Sequence, residues 1–246
     1  MKLTIENANS FKELISILNS IINEGKFVFD GKKLKLRAVD SANICLIELE
    51  LGEDFFLETE GEGSFIVKLE NLKDALKKAK KSDVITLELD KTNNKLKVIL
   101  KSGYARRFYI PLIHEELEEI PESDLKDFKA KIEMDSKEFK EIIENIESVS
   151  ETVEFSANEN NFIIRAKEDL EEVEIELEKT NEILLKYEVS ENCKSLFGID
   201  YLKKVIKMYK ISPTVSIQIG ETYPVKIEYN NGDTSRATFI IAPKID

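Results

Sequence analysis

Lysines at helical spacing are the residues of this chain whose type and order could do chemistry. On a helical wheel for residues 71–81, the apolar side chains fall on one side and most of the lysines on the other. Residues 202–209 repeat this arrangement later in the chain. The outward-facing lysines of the two segments are Lys73, Lys77, Lys78, Lys81, Lys203, Lys204 and Lys207. Lysines without aromatic or amide companions bind phosphates better than base edges, so the pattern predicts sequence-independent, salt-sensitive binding to a phosphate backbone.

The two lysine segments correspond in position. A single lysine-rich face is better explained as a solvated helix surface, since lysine is a good helix former. With an offset of 130 residues, however, Lys73 falls on Lys203 and Lys77 falls on Lys207. This repetition favours a binding role over a merely solvated surface.

Histidine and cysteine, the residues most typical of nucleophilic catalysis and of zinc sites, are sparse. The one histidine, His114, lies among acidic residues, and Cys45 and Cys193 have neither CxxC spacing nor a histidine nearby. The sequence contains no glycine-rich nucleotide-binding motif. We therefore expect a protein that is not an enzyme and that needs no cofactor or metal.

An internal repeat defines the elements that must position the lysines. With an offset of 128, residues 11–50 align without a gap on residues 139–178, and the apolar positions match. In this register Lys12 falls on Lys140, a further pair of candidate phosphate contacts that neighbouring glutamates weaken. The two halves are expected to share one fold.

Each half has the pattern of two helices and many short antiparallel strands. In the first half, apolar residues at helical spacing predict a helix capped by Ser10, and a second helix is predicted over 71–81. Alternating runs predict strands at 2–6, 26–30, 33–39, 44–51, 63–68, 84–90, 95–101 and 104–111. The sequence thus predicts an α+β fold of two duplicated domains, each with two helices on antiparallel sheets. We place the domains at 1–113 and 131–246, joined by an acidic connector at 114–130.

The net charge of −12 is distributed unevenly along the chain. Residues 1–113 carry 19 cationic and 17 anionic side chains, whereas residues 131–246 carry 15 and 24. An acidic exterior is compatible with local basic patches. No apolar run approaches the ~20 residues of a membrane span, and the N-terminus lacks the apolar stretch of a signal peptide. We therefore expect a cytoplasmic protein that does not bind membranes.

Several segments resemble the proliferating cell nuclear antigen family. The stretch 36–49, which contains Val-Asp-Ser, is similar to a strand–loop–strand of that family, and residues 240–245 are similar to its closing Ala-Pro-Lys-Ile motif. Ile120 and Pro121 match its interdomain loop. The resemblance covers essentially the whole chain and implies the DNA clamp fold, in which a homotrimer forms a closed ring with helices lining the hole.

The function implied by the resemblance is that of a sliding clamp. Such a ring encircles double-stranded DNA and tethers DNA polymerase and other replication and repair proteins, which confers processivity. Twelve helices spaced about 9 Å apart would enclose a hole on the order of 35 Å, wide enough for duplex DNA. The clamp would be nucleoid-associated in an archaeon and nuclear in a eukaryote.

The resemblance also implies an apolar pocket for short peptide motifs with a Gln and two aromatic anchors. The expected partners are DNA polymerase, the clamp loader, a flap nuclease and a ligase. The pocket residues carried over to this sequence are Val39, Ile44, Leu46, Ile120, Pro121, Pro224, Ile240, Ala242 and Pro243. The contribution of Leu117 in the connector stays open.

By the same resemblance, two edge strands of opposite charge meet at the subunit boundary. The residues expected there are Arg106, Arg107 and Tyr109 on one strand and Glu172, Glu174 and Glu176 on the other. Head-to-tail pairing of such edges makes a ring when the rotation closes.

Two other interpretations stay open at this level. The chain could be a protein–protein scaffold that never encircles DNA, or a clamp-family subunit that assembles only with sister subunits. Charge-complementary edges favour self-assembly, but assembly with sister subunits stays open.

Overall fold

The computed structural model describes residues 1–114, 120–121 and 124–245. The chain divides into two compact units, of which the first comprises residues 1–43, 47–120 and 231–237 and the second 44–46, 121–230 and 238–246. Two short segments, 44–46 and 231–237, are thus assigned to the unit of the opposite half.

Each half of the chain contains the same kinds of element. The first half has helices α1 (Ala8–Ile21) and α2 (Leu69–Leu76) and a 3-10 helix at Glu53–Phe55. Its strands are β1 (Lys2–Ile5), β2 (Glu24–Phe29), β3 (Leu34–Val39), β4 (Cys45–Leu51), β5 (Glu58–Glu60), β6 (Gly63–Lys68), β7 (Val84–Asp90), β8 (Lys95–Lys101) and β9 (Ala105–Pro111). The second half has helices α3 (Ser136–Ile146) and α4 (Ile199–Val205) and a 3-10 helix at Ile206–Lys210. Its strands are β10 (Ala130–Asp135), β11 (Thr152–Ala157), β12 (Asn161–Glu168), β13 (Glu171–Glu178), β14 (Leu184–Val189), β15 (Cys193–Gly198), β16 (Thr214–Ile219), β17 (Val225–Asn231) and β18 (Ser235–Ile241).

Strand order is repeated between the two units. In the first unit the antiparallel order β5-β1-β7-β8-β9 forms one sheet, and β2 pairs with both β3 and β6. In the second unit the order β14-β10-β16-β17 repeats β5-β1-β7-β8, and β11 pairs with both β12 and β15. The repetition confirms the predicted α+β fold of two duplicated domains. In the described chain, β9 and β13 each lie at the end of a sheet.

Each unit has its own apolar core. Helix α1 buries one face because its apolar residues recur three and four positions apart. The fully buried members of that face are Phe11, Leu14, Ile15 and Leu18. In the second unit the ring of Phe155 lies 6.3 Å from that of Phe139, 5.8 Å from that of Phe162 and 5.4 Å from that of Phe197. These cores fix the helices against the sheets and leave their polar faces outward.

Helix α1 is capped by Asn7 rather than by Ser10, so the predicted cap is wrong. The Asn7 side-chain oxygen accepts a hydrogen bond from the Ser10 backbone N–H at 3.0 Å, and Ser10 is buried. Asparagine and serine are about equally good caps. The prediction took the polar residue next to the first apolar position, although the helix begins almost a turn earlier.

Helix α2 ends at Leu76, five residues before the predicted end. The Lys77 N–H makes the last helical bond, to the Lys73 carbonyl at 2.8 Å. The chain then tightens into a turn with hydrogen bonds between residues three apart, such as Ala79 N to Leu76 O at 2.9 Å. Successive lysines repel one another, and the Asp83 carboxylate accepts the Lys80 N–H at 2.6 Å, which competes with helical pairing. We call residues 77–83 the lysine turn.

The second basic segment deviates in a different way. Helix α4 passes into the 3-10 helix Ile206–Lys210, which has three residues per turn instead of 3.6. As a result Met208 is buried at 2% exposure, whereas Tyr209 is only half-buried.

Asp54 ties residues 231–237 to the first unit. Its carboxylate accepts hydrogen bonds from the Thr234 N–H at 2.9 Å, the Thr234 hydroxyl at 2.6 Å and the Ser235 hydroxyl at 2.5 Å. Gly232 has a φ of 74°, and a Cβ there would lie 2.2 Å from an Asp54 oxygen. Only glycine therefore fits the turn that presents these donors.

No helix in the part of the chain that the structure describes is long and apolar enough to cross a membrane.

Candidate nucleic-acid interface and docking surfaces

The candidate phosphate contacts of the first unit lie on α2 and on the lysine turn. Lys73 is half-buried on α2, and Lys77 caps the end of the helix. The exposed Lys77 ammonium pairs with Asp74 at 2.8 Å, a hydrogen bond that lowers the pKa of that carboxyl. Lys78 and Lys81 are exposed beyond the end of the helix. The predicted basic helix face is therefore a short helix followed by a basic turn.

A buried ion pair holds the lysine turn in place. Nη1 of Arg106, on β9, donates to the Lys78 carbonyl at 2.5 Å, and Nη2 donates to the Asp83 carboxylate. Asp83 is 1% exposed. Burial alone raises the pKa of Asp83, but hydrogen bonds, that of the Lys80 N–H foremost, outweigh it and lower the pKa. The carboxylate is therefore charged and needs its arginine.

Tyr104 lies beside this ion pair. Its ring centroid is 5.7 Å from the Lys80 ammonium and 5.7 Å from the Arg106 guanidinium. Tyr104 as a whole is 62% exposed. Sequence reasoning missed the whole arrangement, because Asp83 and Arg106 are 23 residues apart and no local pattern joins them.

Two candidate lysines of the second unit are paired within the chain. Lys140 forms an ion pair with Glu144 at 2.6 Å, which raises the pKa of the lysine, and lies 5.5 Å from the Tyr209 ring. Lys203 pairs with Glu147 at 3.4 Å. The sequence predicted that neighbouring glutamates weaken Lys140 as a phosphate contact, and Glu144 is in direct contact with it. These two ammonium groups can reach a phosphate only by competing with a carboxylate.

The other candidate lysines are more available. Lys204 lies 4.8 Å from the Tyr201 ring, and Lys207 is exposed on the 3-10 helix. Lys12 is partly exposed on α1. Among the described residues, no ion pair within 4.0 Å is recorded for Lys78, Lys81 or Lys207. These three are the lysines best placed to meet phosphates.

Most residues of the candidate peptide pocket belong to the second unit. Ile44 is 38% exposed, and its carbonyl accepts the Ala242 N–H at 2.9 Å. Leu46, on β4, lies between the buried Cys45 and Ile47. Ile240 is 9% exposed, at the border of the core. The half-buried members of the set in this unit are Leu46, Pro224, Ala242 and Pro243.

The other candidate pocket residues are distributed as follows. Pro121 belongs to the second unit and is exposed, whereas Val39 and Ile120 belong to the first unit and are half-buried. Leu117 lies outside the described residues.

The edge strand β9 presents its two arginines on opposite faces. Arg107 and Tyr109 are exposed, with Tyr109 at 54%. Arg106 points to the other face and binds Asp83 within the subunit, so its place at the subunit boundary stays a prediction. Adjacent residues of a strand alternate between faces, so the two arginines cannot act together.

The acidic edge strand β13 is partly neutralised by its neighbour β12. Arg165 pairs with Glu174 and lies 3.5 Å from Glu172, while Lys167 lies 3.6 Å from Glu172. The third candidate, Glu176, accepts from the Asn161 amide at 2.5 Å. The net charge that this edge offers is smaller than its sequence suggests.

The chain matches known proteins along its whole length. Residues 1–117 match the family described as the N-terminal domain of proliferating cell nuclear antigen, and residues 119–244 match that of its C-terminal domain. A DNA polymerase sliding clamp of Nanoarchaeum equitans is 30% identical over 250 residues and is aligned over 100% of both chains. That of Pyrococcus horikoshii is 32% identical over 247 residues, covering 100% of this chain and 98% of the relative.

Solved structures of proteins from the same family are similar to this chain along its whole length. A chain of the PCNA2–PCNA3 complex from Sulfolobus tokodaii superimposes with a TM-score of 0.92 at 31% identity, and PCNA from Thermococcus kodakaraensis with 0.91 at 25% identity. Each superposition covers 99% of both chains. The family resemblance of the sequence motifs is confirmed.

The buried ion pair makes Arg106 a determinant of stability. Replacing Arg106 by Glu leaves the buried Asp83 facing a second negative charge and should lower the free energy of unfolding by about 3 kcal/mol or more. The same change at Lys101, an exposed residue of β8 in the same sheet, should shift it by less than about 0.5 kcal/mol. Urea unfolding at one fixed protein concentration measures both. Equal effects at the two positions would contradict the role assigned to the ion pair.

Proposed function

The chain belongs to the proliferating cell nuclear antigen family, and we infer from this and from its lysines that it is a DNA polymerase sliding clamp. The observation that carries the inference is the repetition of exposed lysines on equivalent elements of the two units, as with Lys77 and Lys207, in a protein of net charge −12. Its role is to tether other proteins to DNA and not to catalyse a reaction.

We propose that the ring acts through loose phosphate contacts and topology. Lysine point charges attract the DNA backbone without reading its sequence, so the contacts re-form at each step along the duplex. The acidic remainder of the surface repels DNA and leaves the lysines as the favoured contact. A polymerase held by the ring stays at high local concentration, which is the basis of processivity.

We propose that three copies close the ring through β9 of one subunit and β13 of the next. Both strands lie at sheet ends in the described chain, which leaves backbone groups for pairing. Arg107 is the exposed cation on β9, and Glu176 is the candidate on β13 for which no ion pair is recorded. Twelve helices from three subunits would then surround the DNA.

A hetero-oligomer is the second candidate. The similar chain from Sulfolobus tokodaii was solved as part of a complex of PCNA2 and PCNA3. This chain could likewise need sister subunits to close a ring.

We further propose that the apolar surface around Ile44 and Ala242 docks short peptide motifs with a Gln and two aromatic anchors. DNA polymerase, the clamp loader, a flap nuclease and a ligase are the expected carriers of such motifs. The partial exposure of Ile44 supports this, because large aliphatic residues are usually buried. The protein is expected in the cytoplasm, associated with the genome.

Retention on end-blocked DNA tests the encircling of DNA. Linear duplex with biotin at both ends is incubated with the protein at low salt, streptavidin is added, and salt is then raised. A closed ring stays on the blocked duplex because it can leave only over an end, and it dissociates from unblocked duplex. Equal dissociation from both, measured by gel filtration, would favour the scaffold interpretation.

Low-salt binding to the same duplex tests the lysines. Replacing Lys78, Lys81 and Lys207 by Ala in every subunit should reduce the slope of log K against log salt, by roughly one for each lysine–phosphate contact that the ring loses. The control replaces three exposed lysines of other elements, Lys32, Lys91 and Lys179. A control that lowers the slope equally would contradict the assignment of the three lysines as DNA contacts.

Solution mass tests the assembly. The chain alone should have the mass of three subunits at micromolar concentration, and Arg107→Glu should weaken self-association about tenfold, or about 1.4 kcal/mol. Lys101→Glu makes the same charge change away from the edge and should leave the mass unchanged. A chain that stays monomeric at every concentration would favour the hetero-oligomer.

Binding of a labelled peptide with a Gln and two aromatic anchors tests the docking surface. Ile44→Ser should weaken binding about tenfold, since apolar anchors dominate such pockets. Val28→Ser is the matched control, because Val28 is also 38% exposed but lies on β2 in the first unit. Unchanged affinity in the Ile44 variant would rule out this surface.

A further inference from the structure

One guanidinium holds the lysine turn at two points. Arg106 donates from Nη1 to the Lys78 carbonyl at 2.5 Å and from Nη2 to Asp83. The Arg106 side chain is only 20% exposed and that of Asp83 is fully buried. The planar fork of arginine can bind two acceptors at once, whereas a lysine ammonium binds as a single point.

The other backbone hydrogen bonds of the lysine turn are made within the turn or to the end of α2. Helical bonding ends with the Lys77 N–H, and after it come isolated bonds such as Asp83 N to Lys80 O at 3.0 Å. Asp83 also accepts the Lys80 N–H at 2.6 Å. Asp83 thus holds the turn from its buried side, and Arg106 connects Asp83 to β9.

We propose that Arg106 is a positioning residue for DNA contact. By binding the Lys78 carbonyl and Asp83, it fixes the backbone from which Lys78 and Lys81 extend. Arg106 itself touches no phosphate, because both its terminal nitrogens are engaged inside the protein. This inference rests on the proposed function, and it links the strand expected to close the ring to the turn expected to meet the DNA.

The two adjacent arginines therefore have different roles. Arg107 acts outward at the edge of the sheet, and Arg106 acts inward on the turn. Replacing Arg106 should therefore change DNA binding while the subunits still assemble, and replacing Arg107 should weaken assembly without loosening the lysine turn.

A fluorescent probe on the turn tests the inference. Ser82 is exposed, and the native Cys45 and Cys193 are buried, so Ser82→Cys can be labelled selectively. Arg106→Gln should lower the fluorescence anisotropy of this probe, because the turn gains nanosecond motion. Lys101→Gln, an exposed neighbour in the same sheet, should leave the anisotropy unchanged.

A conservative variant separates positioning from folding. Arg106→Lys keeps the charge beside Asp83 but cannot bind the Lys78 carbonyl at the same time, so its anisotropy should lie between those of the native chain and Arg106→Gln. It also serves if Arg106→Gln does not fold. Full restoration by Arg106→Lys would show that charge alone suffices and would overturn the two-point role.

DNA binding completes the test. In Arg106→Lys, the slope of log K against log salt on short duplex should fall by roughly one for each phosphate contact that the ring loses, while solution mass stays unchanged. An unchanged anisotropy and slope in a protein that is retained on end-blocked DNA would overturn the role of Arg106. Failure of the native chain itself to be retained would instead contradict the clamp function.

Discussion

A strongly acidic chain can attract DNA only where its lysines are kept apart from its own carboxylates. Coulomb attraction between a lysine and a nearby glutamate competes directly with its attraction to phosphate. In the second unit, Lys140 and Lys203 are already partly neutralised in this way, since each pairs with a glutamate of α3 or of its end. Affinity for DNA through these lysines would therefore depend on a minority of them, and on the structure that holds them away from acid.

The two duplicated units meet this constraint by different local means. In the first, α2 stops after two turns and the chain continues as a basic turn, held from within by Asp83 and Arg106. In the second, α4 continues as a 3-10 helix that buries Met208 and leaves Lys207 exposed. An apolar inner face is common to both units and keeps the basic residues on the outer face. The shared fold specifies where lysines are presented, and local contacts specify how many are available.

Sequence patterning predicted the elements whose signal is local. The bounds of β6, β7 and β8 agree with the prediction, because strict alternation of buried and exposed residues is bounded there by turns. Strand β5 was missed because Glu58, Thr59 and Glu60 are all exposed and show no alternation. Contacts between distant residues could not be predicted. Neither the pairing of Asp83 with Arg106 nor the hydrogen bonds of Asp54 leave a trace in spacing or composition.

The period of a β-strand explains why the site needed a structure to be understood. In the sequence, Arg106 and Arg107 look like one cationic patch, and reversing both looks like a test of one interface. Because neighbouring side chains of a strand point to opposite faces, the first reaches a buried carboxylate and the second reaches solvent. A double reversal would remove an internal ion pair and an edge charge together, and the resulting monomer could not be ascribed to either. Separate substitutions of Arg106 and of Arg107 distinguish the stability of the first unit from the closure of the proposed ring. Only they can show whether β9 contributes to both.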